Sequence, residues 1–139
     1  IRKSAAPALS NIKPNYMVLD PTVPISRIPE YIDKINEICK KYNIICATFG
    51  HAGDGNVHPN VLYDITDKDE IERAKKAAIE IYKAAIELGG TVSGEHGIGI
   101  EKLELLPMEV KKTNLKVFRK IKTIFDPDNI MNPGKVISV

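Results

Sequence analysis

The sequence has no tryptophan, three phenylalanines and two cysteines in 139 residues. So few cysteines exclude a disulfide scaffold. Cys39 and Cys46 fit a reducing compartment, as two small core residues; their spacing is not that of a zinc ribbon or a redox pair. No apolar run approaches the roughly 18–20 residues that span a bilayer. Neither charge is in excess: 20 Lys and Arg against 18 Asp and Glu leave +2, which gives no electrostatic basis for binding nucleic acid or an anionic membrane. Nothing resembles a signal peptide, since Lys3 is followed by small residues, Pro7 and Pro14, with no apolar core. Internal repeats and low-complexity tracts are lacking as well. What is present is ordinary for a globular protein: 43% apolar and 27% charged residues, enough for one domain over residues 1–139. The chain opens on Ile1-Arg2-Lys3 rather than Met, which suits a processed chain or an excised piece of a longer one.

Hydrophobic periodicity orders the chain. Tyr16–Asp20 reads as a short strand stopped by Pro21. Ser26 and Pro29 mark a helix start, and Ile28, Ile32, Ile35, Ile38 or Cys39, and Tyr42 recur at helical spacing up to Asn43. Ile44–Phe49 and Val57–Tyr63 read as two strands of a hairpin. Thr66 and Asp69 form a capping pair for a helix whose stripe runs Ile71, Ala74, Ala78, Ile81, Ala85 and Leu88, ended by Gly89-Gly90. Thr91–Ser93 is a short extended piece. Leu115, Phe118, Ile121 and Phe125 mark a last helix before Asp126-Pro127. The order β-α-β-β-α-β predicts an α+β, ferredoxin-like fold: an antiparallel sheet with helices on one face, followed by a helical tail.

All three histidines lie in two glycine-rich segments, Gly50–Asn56 with its flank and Gly94–Gly99. Asp54-Gly55 is a favoured two-residue type I′ loop, and with that loop His51 pairs directly with His58. Opposed residues share a face, so the two imidazoles can converge on one metal ion. Period-two alternation puts Asn56 and Asn60 on that face and turns Val57 and Pro59 away. The plain alternative is an exposed pair of histidines on a solvated face. Glu95 is the best third ligand. Two histidines and one carboxylate with an open position form the pattern of a catalytic metal, and zinc, manganese and iron all accept such ligands. His96, beside Glu95 and flanked by glycines, is then a free acid or base. A helix-stop turn with an incidental His, or a phosphate cradle, are the competing readings of this loop; G-x-x-G-x-G is not the dinucleotide fingerprint.

The segments G-H-A-G-D-G-N-V-H-P-N (50–60), S-G-E-H-G-I-G (93–99) and D-P-D-N-I-M-N-P-G-K (126–135) resemble the C-terminal domain of FAD-linked oxidases, of the glycolate oxidase and D-lactate dehydrogenase type. The resemblance implies oxidation of a D-2-hydroxy acid by hydride transfer to FAD, which a separate FAD-binding domain holds, in cis or in trans. It implies that His51, His58 and Glu95 are metal ligands and that His96 is the catalytic base. It implies further that Arg2 and Asn60 contact substrate, with Lys3 a weaker candidate, and that Asn132 and Lys135 belong to a tail that returns to the flavin domain. An extra basic residue in the Met17–Asp20 stretch, the pattern for dicarboxylic hydroxy acids, is lacking, so a small 2-hydroxy monocarboxylate is expected. Without a flavin domain the chain alone is expected to be inactive. An iron–sulfur subunit is the partner expected beside glycolate oxidase relatives, and the cytoplasm, or the inner face of the membrane, is the expected location. A metal-dependent hydrolase using the same His-His-Glu site and a non-enzymatic interaction module are the alternatives.

Overall fold

The computed structural model describes residues 7–137. They form two compact units, the first reaching Glu95 and the second beginning at His96. In the first unit the order is β1 (Asn15–Val18), a 3-10 turn (Ile25–Arg27), α1 (Ile28–Tyr42), β2 (Ile45–His51), β3 (Asn56–Tyr63) and α2 (Lys68–Glu87). The sheet is antiparallel with strand order β1-β3-β2. This is the split β-α-β arrangement expected, with β3 between β1 and β2. The expected fourth strand is reduced to a single bridge, Thr91↔Thr22, beside β1. Gly90 and Gly94 bracket it, and glycine supports a strand poorly.

Two helix ends fall one step from their sequence signals. Ser26 lies in the 3-10 turn and caps nothing; α1 starts at Ile28 with Pro29 in its first turn. Asp67, rather than Thr66, caps α2, its carboxylate accepting from the Asp69 and Glu70 amides. Asn43 ends α1 in the left-handed region, φ 50°.

The ladder between β1 and β3 does not stop at Val18. Val18↔Asn60 and Thr22↔Asn56 lie four residues apart on both strands, so no bulge intervenes and Asp20 stands opposite His58. Leu19 N donates to Pro59 O at 2.9 Å and Val57 N to Pro21 O at 3.0 Å. Pro59 and Pro21 have no N–H to return those bonds, which is why this stretch pairs more thinly than β1 itself.

Alternation then sorts the sheet into two faces. Leu19, Pro21, Val23, Val57, Pro59 and Val61 are buried on one of them. The helices cover this face: Cys39 of α1 meets Cys46 of β2, and the Tyr82 hydroxyl of α2 accepts from the Asp20 amide. The other face carries Asp20, Thr22, Asn56, His58, Asn60 and His51. Val18 and Phe49, on that same face, remain exposed.

Tyr31 is the largest fully buried side chain, a position that the α1 stripe read from sequence omits. Its hydroxyl donates to the Ile81 carbonyl at 3.1 Å, tying α1 to α2. Burial first, then Tyr82 and Cys46, push its pKa above the ordinary 10.0. The unfolded chain loses this proton near pH 10 while the folded chain keeps it, so stability is full below pH 10 and falls as pH rises past it. Tyr31→Phe should cost about 1 kcal/mol at pH 8. It should also flatten the alkaline loss, which for one such group approaches about 1.4 kcal/mol per pH unit. Urea midpoints from pH 8 to 11 check this, and parallel curves for the two proteins would refute it.

The second unit holds α3 (Leu106–Glu109) and α4 (Lys112–Phe125). Leu106, Leu115 and Ile137 form its small core, with Ile98 and Val110 against them. Of the α4 stripe read from sequence only Leu115 is buried; Phe118, Ile121 and Phe125 are exposed. Asp126 organises the following turn, accepting from the Ile130 and Met131 amides and pairing with Lys122. No helix among the described residues is long and apolar enough to cross a membrane.

Candidate functional site

The hairpin that carries the histidines differs in register from the two-residue loop expected. His51 pairs with Asn56 and Phe49 with His58, so the loop is four residues long. A type I′ loop needs positive φ at both central residues. Gly55 has it, at 73°, but Asp54 does not. The Asp54 amide instead donates back to His51 O at 2.9 Å. The slip is by two residues, and an even slip keeps every side chain on its face. His51 and His58 therefore still converge, as diagonal rather than opposed neighbours. Their ring centroids are 5.3 Å apart with planes at 89°.

Glu95 joins them. Its Oε1 lies 3.0 Å from His58 Nε2 and 3.4 Å from His51 Nε2. His58 is mostly buried, whereas His51 and Glu95 are more open, with side chains 36% and 51% exposed. The site is thus closed on the β3 side and open on the other.

Hydrogen bonding tests what this cluster can hold. His58 Nδ1 is 3.3 Å from the Leu19 carbonyl. This carbonyl and the carboxylate at Nε2 both only accept, and a neutral ring has one proton for the two of them. With that proton on Nδ1, Nε2 meets the carboxylate oxygen with a lone pair. Two acceptors held 3.0 Å apart call for a cation between them. A second proton or a metal ion meets that need. The distances suit a metal: tetrahedral coordination at about 2.0–2.1 Å sets ligand atoms about 3.4 Å apart. Two imidazoles and a carboxylate are also a normal donor set for a divalent transition metal.

Asp20, which sequence reading passed over as the end of a strand, lies beneath this cluster and is fully buried. One oxygen each of Asp20, His58 and Glu95 (for histidine, a ring nitrogen) fall within 4.8 Å of one another. Yet the Asp20 carboxylate is heavily engaged. Oδ2 accepts from Ser93 Oγ at 2.8 Å and from the Gly94 and Glu95 amides, each at 3.1 Å. Oδ1 accepts from Asn56 Nδ2 at 2.9 Å. Asn56 also reaches Pro21 O and Thr22 Oγ1, while its own Oδ1 is buried without a hydrogen-bond partner among the described residues.

The remaining residues singled out from sequence fall in several places. Asn60 is on the histidine face but buried, its Nδ2 donating to the Ala47 and His58 carbonyls. His96 follows Glu95 directly, is exposed, and opens the second unit. Asn132 and Lys135 share a turn in that unit, Lys135 N donating to Asn132 O at 3.3 Å, with Asn132 at φ 51°. Arg2 and Lys3 lie outside the described residues.

A family model, FAD linked oxidases, C-terminal domain, matches residues 1–136. The chain belongs to this family. Glycolate oxidase subunit GlcD of Bacillus subtilis is 49% identical over 137 residues, which are 99% of this chain and 29% of that protein. D-lactate dehydrogenase of Archaeoglobus fulgidus is 46% identical over 121 residues, 86% of this chain and 26% of that protein. Among solved structures, 4-ethylphenol oxidase from Gulosibacter chungangensis in its isoeugenol complex superposes with a TM-score of 0.62 at 18% identity, over 88% of this chain and 24% of that one. This last likeness concerns the fold. The chain spans less than a third of the length of each of these proteins. Membership of an FAD-linked family implies FAD and a domain that binds it. The relatives are named for oxidation, and the hydrolase alternative finds no support among them.

Proposed function

We propose that this domain forms the substrate side of a flavin-dependent D-2-hydroxy acid dehydrogenase, with His51, His58 and Glu95 holding a divalent cation. The observation that carries the proposal is the convergence of the two imidazoles on one Glu95 oxygen, 3.0 Å from His58 Nε2 and 3.4 Å from His51 Nε2. The bound cation would supply Lewis acidity toward a substrate oxygen, and FAD the capacity to accept hydride. His96 accepts the α-hydroxyl proton, a task suited to an imidazole near neutral pH. Arg2 grips the substrate carboxylate through its two-pronged guanidinium. Asn60 stiffens the strand that presents His58, and lies on the face a substrate would meet. Asn132 and Lys135 belong to the tail that meets the flavin domain.

A small monocarboxylate such as glycolate or D-lactate is the substrate class we favour. The relatives carry those names, and Met17-Val18-Leu19-Asp20 adds no second cation for a second carboxylate. An iron–sulfur subunit is the partner proposed for onward electron transfer, in keeping with a relative named as a subunit. Free Cys39 and Cys46 suit the cytoplasm; a seat on the inner face of the membrane is the alternative.

Elemental analysis of the purified protein tests the site. About one equivalent of zinc, manganese or iron is expected, and His51→Ala and His58→Ala should each lower retention against a chelator by at least about tenfold. A protein that takes up none of these metals, or variants that hold metal as well as the parent, would sink the proposal.

A further inference from the structure

Asp20 is the least exposed charged group among the described residues of the first unit, and most of the bonds its carboxylate accepts come from one segment, residues 93–95. Three donors from Ser93, Gly94 and Glu95 converge on its Oδ2, and the Gly94 amide additionally meets the Asp20 carbonyl at 2.8 Å. These bonds fix the backbone from which the Glu95 side chain extends. On the sheet side, Asp20 stands opposite His58, with Oδ1 3.7 Å from Nδ1, and the neighbouring Leu19 carbonyl lies 3.3 Å from the same nitrogen. One buried residue thus borders both partners of the 3.0 Å contact. Its oxygens are turned to backbone amides, a serine and an asparagine, so its geometry is that of a holder.

We propose that Asp20 is the positioning residue of this site: it clamps the 93–95 segment so that the Glu95 carboxylate meets His58 Nε2. The inference rests on the metal-site reading for its effect on metal, but the clamp itself is independent of it. Groups that orient a ligand from behind contribute heavily to affinity; their removal costs roughly 10–100-fold. Asp20→Asn keeps the shape and replaces one acceptor oxygen by a donor, which then faces the donors from 93–95 or from Asn56.

The test is made on the intact protein with two readouts. Amide exchange, followed by mass spectrometry on peptides covering residues 91–98, reports the clamp. Zn²⁺ competition with a chelator reports the site. For Asp20→Asn the expectation is exchange at 94–95 faster by about tenfold or more and Zn²⁺ affinity lower by ~10–100-fold, with far-ultraviolet circular dichroism unchanged. Unchanged exchange, or faster exchange with parental Zn²⁺ affinity, would overturn it. Should Asp20→Asn fail to fold, Ser93→Ala removes one donor and leaves Asp20 in place. Severalfold weaker Zn²⁺ binding with faster exchange then supports the clamp, and parental behaviour refutes it. If the parent binds no Zn²⁺, the metal-site reading fails by itself and exchange at 94–95 decides the clamp alone. If the parent binds and Asp20→Asn matches it, the clamp fails while the metal site stands.

Discussion

Gly94→Ala is expected to destabilise the protein by about 2–6 kcal/mol. A β-carbon at this position would overlap the Asn56 side-chain amide and the Thr22 hydroxyl, and would sit 2.8 Å from Asn56 Cγ. Side chains at a protein surface swing away from such an intrusion. Asn56 has nowhere to go, being buried and held at once by Asp20, Pro21 and Thr22. Overpacking of this kind costs roughly 1–3 kcal/mol. Losing a buried hydrogen bond to Asn56 or Asp20 adds about 1–3 kcal/mol. The comparison is Gly53→Ala, where a β-carbon meets nothing within 4 Å. That variant should stay within about 0.5 kcal/mol of the parent. Guanidinium titrations of the three proteins at one pH are sufficient. Equal midpoints for the two alanine variants would show that the 93–95 segment is not packed against Asn56 as described.

Glu95→Gln should abolish metal binding while leaving the fold intact or firmer. Gln has the same length, but its amide N–H can donate to the lone pair on His58 Nε2. The close approach at 3.0 Å then becomes an ordinary hydrogen bond with no cation in between. The same oxygen faces His51 Nε2 at 3.4 Å, so both imidazoles lose their shared anion in one step. Zn²⁺ affinity should fall by more than the roughly 100-fold that an outer partner commands. Thermal unfolding with and without Zn²⁺ makes this measurable. At a hundredfold excess over Kd the metal stabilises the parent by about 2.7 kcal/mol. Glu95→Gln should show no such gain, and its metal-free Tm should equal or exceed that of the metal-free parent. A Zn²⁺-induced rise of the same size in both proteins would place the metal elsewhere.

Much of the first unit was legible in the sequence because its signals are local. The α2 stripe, the helix end near Asn43 and the period-two alternation around His58 each depend on neighbours a few residues away. Tyr31 has stripe spacing, three residues after Ile28 and four before Ile35, but Ile32 beside it competes for the same place, and what decides for Tyr31 is Ile81, fifty residues on. The hairpin was read with the wrong register because Asp54-Gly55 has the chemistry of a two-residue loop. Asp54 N instead bonds His51 O, and the histidine pair survived only because the slip was even. Asp20 could not be found by spacing. A carboxylate before Pro21 looks like a strand end, and its meaning appears only when the register places it opposite His58. Once the β1–β3 pairing is known, counting on from Val18↔Asn60 would have located it. His51, His58 and Glu95 were recognisable as a set because glycines and a hairpin brought unusual residue types into a short space.

The four-residue loop between His51 and Asn56 bears on how such a site tolerates change. A strand has only two sides, so what matters to the histidines is parity. Sequences whose turns differ by two residues can slide one strand along the other and still point both rings into the same space, with the diagonal exchanged for the direct pairing. A difference of one residue sends one ring to the helices unless a bulge absorbs it. Variation in this turn should therefore come in even steps, or arrive together with a bulge that restores the count.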